Sequence, residues 1–230
     1  SLEEKKFDLI LCSEKLVDLV GVVRKYDHLV PILMTSMKNI FETMVSIENQ
    51  DFVHNLVLCN EDDRSSVVRG YNISATKILT KDPFGLTKYL SRGIELREEK
   101  IEGSAQRAIL IEKVKSYFQG LGVRKMVIER AAVSLEEMLM NAVYDAPVDS
   151  QGNPIYNHLA RTDEILLEPN QYGTLTYACD GVWLGVSVSD PFGSFSLGTL
   201  RSYLSRCYSG HSETQDGGKG GAGRGLHLLI

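Results

Sequence analysis

The chain has 230 residues, of which 43% are apolar and 24% are charged, and its formal net charge is −5. These values exclude a mainly disordered chain and a general attraction to nucleic acid, and they leave room for two domains with their own cores. The four cysteines are widely spaced without a CxxC pair, which argues against a zinc site and a disulfide framework. Apolar runs are far shorter than the about 20 residues of a membrane span, and no signal-peptide pattern is present. We therefore expect a cytoplasmic protein that binds neither nucleic acid nor membranes.

Residues 1–92 alternate short apolar segments with amphipathic ones. This alternation predicts a parallel sheet with helices on its faces, as in a flavodoxin-like α/β domain. Strands are predicted at 7–12, 30–34, 54–59 and 76–80, and helices at 14–26, 37–48 and 62–70.

The segment that follows is strongly charged. Its composition predicts a helical linker over residues 93–104, between a first domain of residues 1–92 and a second of residues 105–230.

The second domain begins with residues at helical spacing. One helix is predicted from Leu110 to Leu121, and another from Val127 until Pro147 stops it. The apolar stripe of this second helix is predicted to be Val127, Ala131, Leu135, Met138 and Ala142.

Strand-like segments complete the second domain, at 164–168, 174–179 and 182–188. The Asp180-Gly181 pair predicts a hairpin between the last two. Helices followed by antiparallel strands indicate an α+β layer.

The second helix also has a polar stripe of Ser134, Glu137, Asn141 and Asp145. A solvated helix face explains such a stripe. In the alternative interpretation, Asn141 offers an amide oxygen to Mg²⁺, and Glu137, on the same face, acts as a general base.

Asp190 follows a predicted strand and precedes Pro191, Phe192 and Gly193. A carboxylate in this position either caps the next turn or accepts a hydrogen bond from the amino group of adenine.

The densest glycine cluster runs from Gly217 to Gly225 and leads into an apolar run at Leu226. It follows a polar loop rather than a strand, so its GxGxxG match does not predict a dinucleotide fold. The cluster is either a linker or a phosphate-binding loop before a helix, with Lys219 and Arg224 adding positive charge.

Taken together, Glu137-x-x-x-Asn141, Asp190-x-x-Gly193 and Gly221-x-Gly-x-Gly225-Leu resemble the N, G1 and G2 boxes of the GHKL ATPases. That superfamily includes histidine kinases and anti-sigma-factor serine kinases. The resemblance covers about residues 105–230 and implies a Bergerat-type two-layer sandwich that binds ATP and Mg²⁺. It implies that Asn141 binds the metal, Glu137 is the base and Asp190 contacts adenine. The residues that it places around the nucleotide are Asn141, Asp190, Gly193, Gly221, Gly223, Arg224, Gly225 and Leu226.

Three features depart from the family pattern. Phe192 and Ser194 occupy glycine positions of the G1 box, where bulk narrows an adenine pocket. Asp145 stands where many relatives carry a basic residue. The sequence ends at Ile230, before the family's closing strands, which predicts a truncated or incomplete fold.

The first domain resembles a response-regulator receiver domain. Residues 56–61 and 77–84 are similar to its last strands, with Lys81 near the position of its lysine. No early acidic pair is recognisable, and the strand ends show Cys12-Ser13 or Thr35-Ser36 where a phosphoacceptor aspartate is expected. The resemblance implies a degenerate or amino-terminally trimmed receiver, and a flavodoxin-like helper domain without a site explains the pattern equally well.

These resemblances predict a bacterial signal-transduction protein of the two-component type. Its partner would be a sigma factor, an anti-anti-sigma factor, another signalling protein or a second copy of the chain. The compact layout favours the serine-kinase branch, because no histidine precedes the catalytic half in a helical phosphoacceptor setting. The alternative is a pseudokinase that has lost ATP binding and serves as a protein-binding module.

Overall fold

The computed structural model of the protein describes residues 8–16, 31–37, 42–43, 55–59 and 62–193. Within these ranges the chain divides into two compact units, with the boundary between Lys88 and Tyr89. Each unit contains its own three-stranded sheet, so the fold is mixed α/β. Most of the helices predicted at 14–26 and 37–48 lies outside the described residues.

The first unit is built on three parallel strands, β1 (Ile10–Ser13), β2 (Ile32–Ser36) and β3 (Asn55–Leu58), in the order β1-β2-β3. In the register of β1 and β2, Ile10 lies opposite Ile32. The central strand β2 is almost completely buried, as expected for a parallel strand with a neighbour on each side. The predicted parallel sheet is confirmed.

Helix α1 (Arg64–Thr80) packs against β3 and begins at a side-chain cap. The backbone N–H of Ser66 donates to Asp63 Oδ1 over 3.1 Å, and the helix ends at Lys81 with a left-handed φ of 55°. The strand predicted at 76–80 is therefore wrong, because these residues form the last turn of α1. β-branched residues favour a strand only weakly, and a capped helix that packs on a sheet overrides that preference.

The second unit contains strands β4 (Arg97–Ile101), β5 (Gly173–Cys179) and β6 (Leu184–Ser189), paired antiparallel in that order. Helices α2 (Arg107–Gly120) and α3 (Lys125–Met140) lie between β4 and β5 in the chain. One core joins both helices to the sheet, as predicted for an α+β layer. Its most deeply buried members include Ile101, Val114, Phe118, Leu135, Leu139 and Leu175.

The helical linker predicted at 93–104 is wrong, because β4 occupies this segment. Only Ile101 of the strand is fully buried, while Glu98 and Lys100 are exposed. Residues 97–100 are all charged, and Ile101 is the only apolar residue of β4. The sequence of this strand therefore shows no alternation of apolar and polar residues that would predict it.

Residues 164–168, where a strand was predicted, form only one isolated bridge, between Gly103 and Leu166. The side chains still alternate as in a strand, since Ile165 and Leu167 are buried and Leu166 is 79% exposed. Gly103 permits the close approach, because a Cβ there would lie 2.3 Å from the carbonyl oxygen of Ile165. The short turn Pro169–Gln171 then ends the pairing.

The hairpin predicted at Asp180-Gly181 is confirmed. Asp180 N–H donates to the carbonyl oxygen of Trp183 over 3.0 Å, and Gly181 adopts a φ of +88° at the first position of the turn. A positive φ at that position is what a type II′ hairpin turn requires. Among the described residues, no helix is both long and apolar enough to cross a membrane.

Candidate functional site

Glu137 and Asn141 lie one turn apart at the carboxyl end of α3, as their spacing predicted. Both side chains are half-buried, and neither forms a hydrogen bond or ion pair with the described part of the chain. Other glutamates of α3 are paired: Glu136 with Arg107 at 3.2 Å and Glu129 with Lys115 at 3.1 Å. The carboxylate of Glu137 and the amide of Asn141 are therefore left available for a ligand.

The helix changes its winding at Asn141. Residues Asn141–Asp145 form a π-helical segment, and the N–H of Ala146 donates to the carbonyl oxygen of Asn141 over 2.8 Å. Val143 and Tyr144 are fully buried and anchor this segment in the core. Such π-bulges occur frequently at functional sites.

Asp190 immediately follows β6 and caps the turn after it. Its Oδ1 accepts hydrogen bonds from the N–H groups of Phe192 at 2.9 Å and Gly193 at 3.4 Å. Gly193 has a φ of +63°, in the left-handed region that glycine adopts readily. The capping interpretation is thus confirmed, while Oδ2 accepts no hydrogen bond from the described residues, so a contact with adenine stays a prediction.

The polar stripe ends in an ion pair that sequence reasoning missed. Asp145 accepts hydrogen bonds from Arg161 Nη2 on both carboxylate oxygens, at 2.8 and 2.9 Å. The guanidinium of Arg161 also lies over the ring of Tyr144, 4.9 Å from its centroid. Arg161 Nη1 is buried and has no hydrogen-bond partner in the described structure.

A second arginine lies on the same tyrosine. Arg107 is 5.6 Å from the ring centroid of Tyr144, pairs with Glu136 and contacts the sulfur of Met140. The sequence gives little signal for either arginine, because Arg107 begins α2 and Arg161 lies in the loop after α3. Only folding brings both to the end of α3.

Gly221, Gly223, Arg224, Gly225 and Leu226 lie outside the described residues, as does Ser194. No group of three or more His, Cys, Asp or Glu able to hold a metal occurs in the described ranges.

Two surface cavities of the second unit lie away from these residues. One, of about 880 Å³, is lined by β4 and α2 and includes Arg97, Glu99 and Tyr177. The pKa of Tyr177 is raised mainly by burial and, to a smaller extent, by the negative charge of Glu99. The other, of about 720 Å³, lies at the β5–β6 turn beside Trp183. No residue predicted to bind the nucleotide lines either cavity.

No family model, curated protein or solved structure matches the chain.

Proposed function

We propose that the second unit is a GHKL-type ATP-binding domain and that the chain acts in bacterial signal transduction, as a serine kinase directed at a protein partner. One observation carries this proposal: Glu137 and Asn141 are half-buried, lie one turn apart at the α-to-π transition of α3 and have no side-chain partner among the residues that the structure describes. A partly desolvated carboxylate and amide without a hydrogen bond to those residues are suited to a ligand.

The arrangement gives each residue a distinct task. Asn141 would hold Mg²⁺ through its amide oxygen, and Glu137 would orient and deprotonate the attacking hydroxyl group of the partner protein. Asp190 has one carboxylate oxygen fixed by the turn and the other open, which suits a hydrogen bond from the adenine amino group. ATP, when bound, would supply the γ-phosphoryl group to the hydroxyl oxygen of the partner protein, with ADP as the leaving group.

The orphaned donor Arg161 Nη1 supports the fit of an anionic cofactor. It belongs to the guanidinium that pairs with Asp145, and Asp145 follows the proposed metal ligand Asn141 by four residues in the chain. Anionic phosphates are the ligands that arginine recognises best.

The first unit is proposed to be receiver-like and to transmit the input. In a flavodoxin-like sheet of order 2-1-3-4-5, three strands that are consecutive in the chain lie side by side in chain order only as strands 3, 4 and 5, and the order β1-β2-β3 agrees with those last three strands. Lys81 does not support the resemblance, because it caps the end of α1 instead of following a strand.

Mg-ATP binding tests the proposal directly. We expect millimolar Mg-ATP to raise the melting temperature of the protein, since a ligand at 100 times its Kd stabilises the folded state by about 2.7 kcal/mol. Asn141→Ala should remove the magnesium-dependent part of this shift. Asn170→Ala, at an exposed position of the turn Pro169–Gln171, is the matched control and should leave the shift intact.

The outcome separates the kinase from the pseudokinase alternative, which the half-buried Phe192 at a G1 glycine position favours. If Mg-ATP neither binds in calorimetry nor shifts the melting temperature, the enzyme proposal is wrong and the binding-module function remains. If ATP binds but Asn141→Ala binds it with the same magnesium dependence, the metal assignment alone is wrong.

A further inference from the structure

We propose that Arg161 is the phosphate-binding cation of this site and that Asp145 and Tyr144 hold it in place. This inference rests on the proposed nucleotide function. It assigns the recognition of an anionic ligand to a residue far from the sequence boxes.

Arg161 lies at the end of α3 because it binds Asp145. Asp145 follows Asn141 by four residues, within the same π-helical segment, so the two side chains project from neighbouring turns. By binding both oxygens of Asp145, Arg161 brings its guanidinium to the end of α3 from the following loop.

Tyr144 restrains both the side chain and the backbone of Arg161. The guanidinium lies 4.9 Å from the ring centroid of Tyr144, and the ring is fully buried. The hydroxyl of Tyr144 in turn binds the backbone of the loop, at 3.0 Å to the carbonyl oxygen of Arg161 and at 2.7 Å to that of Asp163. A guanidinium fixed from its side chain and its backbone is preorganised to bind an anion.

Arg107 and Arg161 differ in how completely their nitrogens are paired. All three nitrogens of Arg107 have partners: Nε donates to Ser104, Nη1 pairs with Glu136 and Nη2 donates to the carbonyl oxygen of Arg161. Arg161 differs, because Nη1 is buried without any partner in the described ranges. Leaving a charged donor unsatisfied costs free energy, and a phosphate oxygen would satisfy it.

The pairing of Asp145 with Arg161 also changes the charge near Asn141. Asp145 alone would repel phosphates at Asn141, but its pairing with Arg161 makes the combination neutral. Nη1, which is buried and has no partner in the described ranges, is then left as a charge-assisted donor for a phosphate oxygen. A nucleoside without phosphates offers it no such acceptor, so we expect the cluster to favour polyphosphate.

Binding of ATP, ADP, AMP and adenosine by Arg161→Lys tests the inference. Lysine keeps the charge but lacks the forked donors, so we expect its affinity for ATP and ADP to fall about tenfold while its affinity for adenosine is unchanged. Asp145→Asn leaves only one oxygen to accept from Nη2 and removes the ion pair that holds the guanidinium in place, so its affinity for ATP should also fall while its affinity for adenosine is unchanged. Arg130→Lys, on the exposed face of α3, is the control and should match the wild type.

The outcomes are distinguishable. If the wild type binds none of the four compounds, the proposed function itself is wrong. If the wild type binds ATP and both Arg161→Lys and Asp145→Asn retain its ratio of ATP to adenosine affinity, only the role of Arg161 is overturned. Melting temperatures without ligand identify a variant that fails to fold, in which case the other variant decides.

Discussion

Four hydrogen bonds end on the carboxylate of Asp180, at the turn between β5 and β6. Oδ1 accepts from the N–H groups of Trp183 at 2.7 Å and Val182 at 3.0 Å, and Oδ2 accepts from the N–H and hydroxyl of Ser91 at 2.8 and 2.9 Å. The bond from the Trp183 backbone, followed by that from Ser91, lowers the pKa of Asp180 far below its usual value. This carboxylate therefore links the hairpin to the segment before β4 more strongly when it is ionised than when it is protonated.

The pKa of Asp180 predicts an acid-sensitive hairpin. Because the folded-state pKa is lowered, the stabilisation is fully present above the unfolded value of about 3.9 and is lost as pH falls towards the folded value. Asp180→Asn should lower the melting temperature at about pH 7, and the difference from the wild type should shrink at about pH 3. Glu164→Gln, an exposed change, serves as control. A difference that does not vary with pH would contradict the prediction.

At the scale of one element, the buried face of α3 only partly coincides with the apolar stripe that its sequence predicts. The buried residues of the helix are Ile128, Ala132, Leu135 and Leu139. Of the predicted stripe, Leu135 and Ala142 are buried, whereas Val127, Ala131 and Met138 are half-buried. Apolar residues occur on both candidate faces, so periodicity alone does not choose between them. Packing against α2 and the sheet selects the face.

Alanine substitutions distinguish the two faces of α3. Leu139→Ala should cost about 2–5 kcal/mol in the free energy of unfolding, because Leu139 is completely buried and a cavity would remain. Met138→Ala should cost less, and Val133→Ala, on the exposed side, should stay within about 0.5 kcal/mol of the wild type. Urea denaturation measures all three. A larger loss for Met138→Ala than for Leu139→Ala would restore the stripe predicted from the sequence.

At the scale of the molecule, the chain consists of two units with separate sheets, one parallel and one antiparallel. A domain with a core of its own is able to unfold on its own. The single tryptophan, Trp183, lies in the second unit, so its fluorescence reports on that unit alone.

Denaturation followed by two probes tests this independence. We expect the urea transition seen by Trp183 fluorescence to differ from the transition seen by far-ultraviolet circular dichroism, which reports on helices of both units. Coincident transitions would show that the whole chain unfolds as one cooperative unit.

The sequence predicted those parts of the fold that depend on local chemistry. Asp180-Gly181 marks the hairpin because its turn needs a positive φ, and Glu137 and Asn141 share a face because helical spacing puts them there. It failed at two segments whose structure depends on contacts with other elements. β4 is a strand because β5 pairs with it, and residues 76–80 form the end of α1, which packs against β3. Neither fact has a distinct local signal.

By itself, the sequence determined the layered α/β character, the turn positions and the spacing of Glu137, Asn141 and Asp190, all of which follow from short-range backbone geometry. Only the tertiary structure decided which face of α3 is buried, that Asp190 caps its turn, and that Arg161 pairs with Asp145. The physical reason is that burial and ion pairing depend on contacts between segments distant in the chain. Periodicity along one segment carries no information about those contacts.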